Sequence, residues 1–329
     1  MLTGAMRALV VRKPGGPDAM RFEDLPKPAP DDGAVVVAVE AVGVNPVDAG
    51  NRADPSWARL EPPFVVGYEF AGVIDAVGDG DVGLVVGEPV WGVLPVRDVR
   101  WGAYAGFVGA DARFVGRRPP VLSAVQAAAI PLAGVTALQI LDRVDPPDGE
   151  WIVVHGAAGG VGSLLVQLAR ARGIRVAGSS SAPRHGFLRE LGVKLTLDRE
   201  DDDALVRAVA AMGTEPFAVV DLVGQNLLAR SLPYVRNGGA AAAIVELNGD
   251  FEEAIDRNIT VHGILLEPDR TALDRLAREV EAGTLRPVVD QVLDLEAAAD
   301  AHRRVETGHG QGKVVLRVRR APPQSPRTS

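Results

Sequence analysis

The stretch from Trp151 to Arg170, WIVVHGAAGGVGSLLVQLAR, decides the fold. A short apolar run, Trp151 to Val154, enters a glycine-rich turn, and an amphipathic helix leaves it. A run of this kind suits a strand buried in a parallel sheet. Val161, Leu164, Leu165 and Leu168 then recur at helical spacing. Between the two, Gly156, Gly159, Gly160 and Gly162 remove side chains that would block a pyrophosphate. The N–H groups at the helix start, and the positive end of its dipole, face that anion. Gly156, Ala158, Gly159, Gly160, Val161 and Gly162 are the expected cofactor contacts. The usual fingerprint is GxGxxG, and here Ala157 stands at its first glycine. Such a turn also serves plain strand–helix packing, so the surroundings must decide.

They continue the alternation. Strands are expected at Ile174 to Ala177, Lys194 to Leu197, Phe217 to Leu222, Ala240 to Val245 and Ile259 to Leu266. Helices are expected over Arg184 to Leu191, Ala204 to Met212 and Leu227 to Val235. Strand–helix alternation forces parallel pairing through right-handed crossovers, hence a doubly wound α/β sheet. Upstream, helices are predicted at Ala124 to Ile130 and Gly134 to Leu141. The first ~120 residues read instead as a compact barrel-like set of short strands, Ala5 to Arg12 and Ala34 to Val44 among them. Downstream come helices at Thr271 to Glu281 and Ala297 to Val305. A terminal strand, Lys313 to Val318, is expected to return to the first domain. The end segment APPQSPRTS is expected to be disordered.

Composition narrows the function. The chain has 329 residues, 47% hydrophobic and 24% charged, with a net charge of −8. That balance suits a globular protein of two domains and argues against general affinity for nucleic acid or anionic membrane. No apolar run is read as bilayer-spanning, and MLTGAMRALVV lacks signal-peptide architecture, so the cytoplasm is the expected location. With no cysteine, thiolate zinc sites, disulfides and cysteine nucleophiles are excluded.

The end of the second strand selects the dinucleotide. An acid there would bind the ribose hydroxyls of NAD. The chain reads Val176-Ala-Gly-Ser-Ser-Ser181 with no acid, and Arg184 follows. Ser179, Ser180, Ser181 and Arg184 suit a 2′-phosphate, which predicts NADPH. The alternative is a serine loop followed by a solvated arginine.

Five segments, the glycine turn among them, carry a resemblance: Ala41-Val-Gly-Val-Asn-Pro-Val-Asp48, Val66-Gly-Tyr-Glu-Phe-Ala-Gly-Val73, Pro131-Leu-Ala-Gly-Val-Thr-Ala137, Ala157-Ala-Gly-Gly-Val-Gly162 and Gly308-His-Gly-Gln-Gly-Lys-Val-Val315. In their order and spacing, from about residue 6 to 318, the chain resembles the medium-chain dehydrogenase/reductase superfamily. The match is to its zinc-free quinone oxidoreductase and enoyl reductase branch. The resemblance implies a GroES-like catalytic domain (residues 1–120 and 267–318) around an inserted Rossmann domain (121–266), with residues 319–329 a tail. It also implies a homodimer joined through the last Rossmann strand and an active site in the interdomain cleft.

Two departures from the family pattern matter. Gly67-Tyr68-Glu69 stands where zinc-dependent members have Gly-His-Glu, so no metal site is expected. Without a Lewis acid, hydride transfer to an already electrophilic quinone or unsaturated carbonyl is favoured over alcohol oxidation. Gly50 and Ser56 occupy the two positions where the branch usually has tyrosine, and Trp57 is adjacent.

Asn45 is expected near the nicotinamide, to bond ribose or substrate; the bland alternative is a turn-forming Asn before Pro46. Tyr68 is a candidate proton donor, weighed against a buried tyrosine satisfied elsewhere. Thr136 is weighed between nicotinamide contact and helix packing. Val223 and Gly224 should flank the adenosine, and Lys313 reaches either the cofactor or solvent. Asp48 reads as a helix cap and His155 as packing. The predicted activity is NADPH-dependent reduction of a quinone or enone. The alternatives are an ene-reductase or reductive cyclase tailoring a bacterial natural product, and a non-catalytic NADPH-binding protein.

Overall fold

A computed structural model describes residues 4–318. The stretch 151–263 folds into a six-stranded, all-parallel sheet. Its spatial order is Leu195–Asp198, Arg175–Ser180, Trp151–His155, Ala218–Asp221, Ala240–Ala243 and Thr260–Gly263. Strand order reverses on either side of Trp151–His155, which is fully buried. A crevice therefore opens at its carboxyl end, where doubly wound sheets take their ligands. The glycine turn lies there and leads into the helix Gly160–Ala171.

The N-terminal strands form a three-stranded sheet and a larger, mostly antiparallel one. Ala34–Val44 is central to the larger sheet. Its residues Ala41 to Val44 pair antiparallel with the terminal strand Lys313–Arg317. That strand also pairs in parallel with Val289–Asp294, which the sequence pattern did not reveal. Val289–Asp294 carries three acidic or amide side chains and no clean alternation, so its register comes from its neighbour.

Several boundaries differ from the expected ones for physical reasons. The helix expected at Gly134 begins at Pro131, because proline at the first helical position loses no hydrogen bond. It ends at Val144, with Asp145 in the left-handed region. The last strand of the parallel sheet is only Thr260–Gly263, and among the described residues no strand flanks its outer side. The helix Pro46–Ala53 had been hinted at only by Asp48. It is set by a capping box in which the Asp48 carboxylate accepts the Asn45 N–H at 2.6 Å.

One expectation needs correction. By length and composition Ala124–Val144 is apolar enough to cross a membrane, with mean hydropathy 1.7. It is broken between Ala127 and Pro131, and 78% of its apolar window is buried in the fold, which marks it as a core helix. The expected terminal disorder at residues 319–329 lies outside the described residues.

Candidate active site

The glycine turn is built from the inside. Ser179 is the organiser: its main-chain oxygen accepts the Ala157 N–H at 3.0 Å and its hydroxyl accepts the Gly156 N–H at 3.3 Å. The hydroxyl also lies 3.3 Å from His155 Nδ1, and His155 Nε2 lies 2.9 Å from Ser231 Oγ. Ser231 in turn donates to the Leu227 carbonyl at 2.7 Å. This chain is satisfied when His155 is neutral with its proton on Nε2. Burial keeps it so by lowering its pKa. Gly156 sits at φ 77°. A Cβ at Gly162 would lie 2.4 Å from the Gly156 oxygen, so only glycine lets the helix start this close to the strand. The helix begins at Gly160, and the first-turn N–H groups of Gly160, Val161 and Gly162 have no intrahelical acceptor. The turn therefore fits a pyrophosphate.

Ser179 and Ser180 are buried, and the Ser180 hydroxyl donates to the Ser181 carbonyl at 3.2 Å. Ser181 starts the short turn that carries Arg184. The Arg184 guanidinium donates to the His309 carbonyl. Arg199 follows the neighbouring strand; its N–H donates to the Ser180 carbonyl at 3.0 Å, and its Nη2 lies 3.2 Å from His309 Nε2. Burial, together with the Arg199 and Arg304 guanidinium groups, pushes the Arg184 pKa down. Arg184 and Arg199 therefore gather around His309 beside the serine loop, with Arg199 also paired to Glu200 at 2.8 Å. Arg199 and His309 were not foreseen. The signal for Arg199 was its place directly after the third parallel strand. His309 lies in the loop before the terminal strand, which only the tertiary fold brings here.

Val223 and Gly224 close the opposite side. Both N–H groups donate to Asp221 Oδ1, at 2.8 and 2.9 Å, and Leu228 N–H donates to Oδ2 at 3.1 Å. The buried Asp221 carboxylate thus shapes this loop.

The junction with the other domain is polar and closed. Gly312 N–H donates to the Ala158 carbonyl at 2.9 Å, tying the terminal loop to the glycine turn. The Lys313 stem then crosses Gly160, where a Cβ would lie 2.8 Å from its Cδ. Its ammonium pairs with Glu69 Oε1, donates to Asn45 Oδ1, and lies 3.2 Å from the Val44 carbonyl. Glu69 Oε1 also accepts Asn45 Nδ2 at 2.9 Å, and Oε2 accepts the Leu132 N–H at 2.9 Å. Lys313 is thus 4% exposed and ion-paired, not solvated. Asn45 has both amide ends engaged, leaving one Nδ2 hydrogen. Desolvation raises the Asp48 pKa to about 7, and its Oδ1 has no partner among the described residues.

Tyr68 has no exposed surface; its phenol accepts Asn51 Nδ2 at 2.7 Å, and burial raises its pKa. Thr136 Oγ1 donates back to the Leu132 carbonyl at 2.8 Å. The structure thus brings Asn45, Lys313 and the glycine turn together and leaves Tyr68 inside the catalytic domain. Among the described residues, no group of three His, Asp or Glu side chains has the arrangement of a metal site.

The Alcohol dehydrogenase GroES-like domain family matches residues 31–119, and the Zinc-binding dehydrogenase family matches residues 191–316. The chain is 30% identical to a quinone oxidoreductase of Sus scrofa, covering 96% of this chain and 99% of that protein. It is 31% identical to a 2-methylene-furan-3-one reductase of Solanum lycopersicum, over 92% and 76%. A mycobacterial protein solved in complex with NADPH superposes with a TM-score of 0.86 at 29% identity, over 95% and 99%. The chain is an oxidoreductase that uses a pyridine nucleotide, and it belongs to the medium-chain dehydrogenase/reductase superfamily, in the zinc-free quinone oxidoreductase-like branch.

Proposed function

We propose an NADPH-dependent reductase of quinones or α,β-unsaturated carbonyls. The carrying observation is the Arg184–Arg199–His309 cluster beside a serine loop, residues 176–181, that holds no acid. Guanidinium groups held in this way match a 2′-phosphate, and a NAD-type carboxylate is missing from residues 176–181. Bound reduced nicotinamide supplies a hydride to an electrophilic carbon.

The protein's part is placement. First-turn N–H groups of Gly160 to Gly162 hold the pyrophosphate, and Val223 and Gly224 flank the adenosine. The Lys313–Glu69–Asn45 cluster braces the catalytic domain from within, reaches the other domain through the Leu132 N–H on Glu69, and leaves one Asn45 hydrogen for a ligand. Thr136 helps shape the floor below the nicotinamide. The proton that completes reduction comes from solvent, since Tyr68 is enclosed. Domains follow the divided pattern, 1–120 with 267–318 and 121–266. The free edge of Thr260–Gly263, with Val245, Leu247 and Leu265 exposed nearby in sequence, joins two copies into a homodimer. We place the enzyme in the cytoplasm.

The test mixes purified protein, NADPH and a panel of quinones and enones while following the near-ultraviolet absorbance of the reduced nicotinamide. Acceptor-dependent oxidation is expected. Tight NADPH binding with no oxidation by any acceptor would instead favour the binding-protein alternative.

A further inference from the structure

Arg97 places its guanidinium carbon 4.1 Å from the ring centroid of Trp57, which is 45% exposed. Arg97 Nε is buried, with no hydrogen-bond partner among the described residues. The adjacent carboxylate, Asp98, pairs instead with Arg59 at 2.7 Å. That N–H is closed to ligands, but among the described residues no carboxylate pairs with the Arg97 guanidinium, and an anion reaching its Nη groups would be its first counter-charge.

The position of this stack sets the size of the ligand. Asn51 Nδ2 donates to the Val96 carbonyl at 3.1 Å, and the Asp98 N–H donates to the Ala58 carbonyl at 2.9 Å. Both bonds hold the Arg97 loop against Pro46–Ala53 and the segment after it. That helix starts beside Asn45 at the domain junction, and Trp57 lies just past its other end. Eight helical residues span about 12 Å. Along the chain the stack therefore lies one eight-residue helix beyond Asn45.

We propose that Trp57 and Arg97 form a subsite for the remote anionic end of the acceptor. The substrate class is then a quinone or unsaturated carbonyl that carries a carboxylate on an extended arm. The inference rests on the reductase reading and adds its specificity. Trp57 offers a planar face to the arm, and Arg97 binds the carboxylate; neither touches the reacting carbon. Binding energy from a remote group of this kind positions the reacting end.

The test compares hexyl-p-benzoquinone with its ω-carboxylate on the wild-type enzyme and on Arg97→Gln and Arg97→Lys. The wild type should favour the carboxylate in kcat/KM by about tenfold or more. Arg97→Gln should abolish that preference through a rise in KM for the carboxylate, and Arg97→Lys should restore part of it. Equal kcat/KM for the two quinones on wild type, or equal losses in the variant, would overturn the subsite. Calorimetric titration of the ω-carboxylate hydroquinone reads the subsite without turnover. Affinity about tenfold weaker in Arg97→Gln supports it, and unchanged affinity overturns it. If neither quinone oxidises NADPH, the reductase reading fails, while the titration still decides the subsite.

Discussion

Arg52 Nη1 lies 2.9 Å from His302 Nδ1 in a buried contact that bridges 250 positions of sequence. An arginine can only donate, so Nδ1 accepts and the imidazole proton sits on Nε2. Nε2 then donates to the Tyr104 phenol at 3.1 Å. Arg52 also donates to the Gly15 carbonyl at 2.9 Å and to Glu306 at 2.7 Å. This chain locks the C-terminal helix Ala298–Glu306 onto Pro46–Ala53, the helix that carries Asn45 at its start.

That geometry makes His302 an acid-sensitive joint. Burial and the Arg52 charge lower its pKa from 6.5 to about 3. A native pKa below the unfolded one means that the unfolded chain binds the proton more readily. The contribution is present above pH 6.5 and is lost as pH falls toward 3. The slope approaches about 1.4 kcal/mol per pH unit within that window. Urea unfolding from pH 7 to 4 should show it in wild type and lose most of it in His302→Gln. Parallel curves for the two proteins would refute the assignment.

Asp48 has the opposite sign. Its pKa rises from 3.8 to about 7, with desolvation the main cause and Glu69 adding to it. The native state holds this proton more firmly, so the contribution is present below pH 3.8 and is lost as pH rises through 7. Asp48→Asn keeps an acceptor for the Asn45 N–H and removes the charge. The variant should match wild type near pH 4 and gain relative stability toward pH 8. A gain that does not depend on pH would show that desolvation of the carboxylate is not the cause.

The centre of the parallel sheet was legible because Trp151–His155 is buried on both faces and Gly160–Ala171 turns an apolar face onto it. The glycine turn was legible because backbone geometry there permits few residues. The junction was not. Glu69, Asn45 and Lys313 come from three distant segments, and their pairing is a property of packing. Arg199 and His309 escaped notice for the same reason. Tyr68 drew attention as a replaced histidine, yet Asn51, unremarkable in sequence, is what holds its phenol.

The phosphate pocket gives a selective prediction. Arg184→Ala and Arg199→Ala should each weaken NADPH binding by roughly ten- to a hundredfold and leave NADH nearly unchanged, as loss of a charge-assisted bond requires. Fluorescence titration of both nucleotides measures this. Equal losses for the two would mean that the arginines support the loop and do not read the phosphate.

Lys313 offers the sharpest probe of the junction. Glu69 has no exposed surface, and Lys313 is its buried counter-charge. Lys313→Met leaves that carboxylate without a cation and should cost about 3–5 kcal/mol. Glu69→Gln alone keeps a carbonyl for the Leu132 N–H and leaves the lysine with Asn45 and the Val44 carbonyl, so it should cost less. The double variant removes both charges and should recover part of the Lys313→Met loss. Denaturant unfolding of all four proteins isolates the coupling. Additive losses would mean that the Lys313–Glu69 ion pair contributes nothing beyond the separate contacts of each side chain.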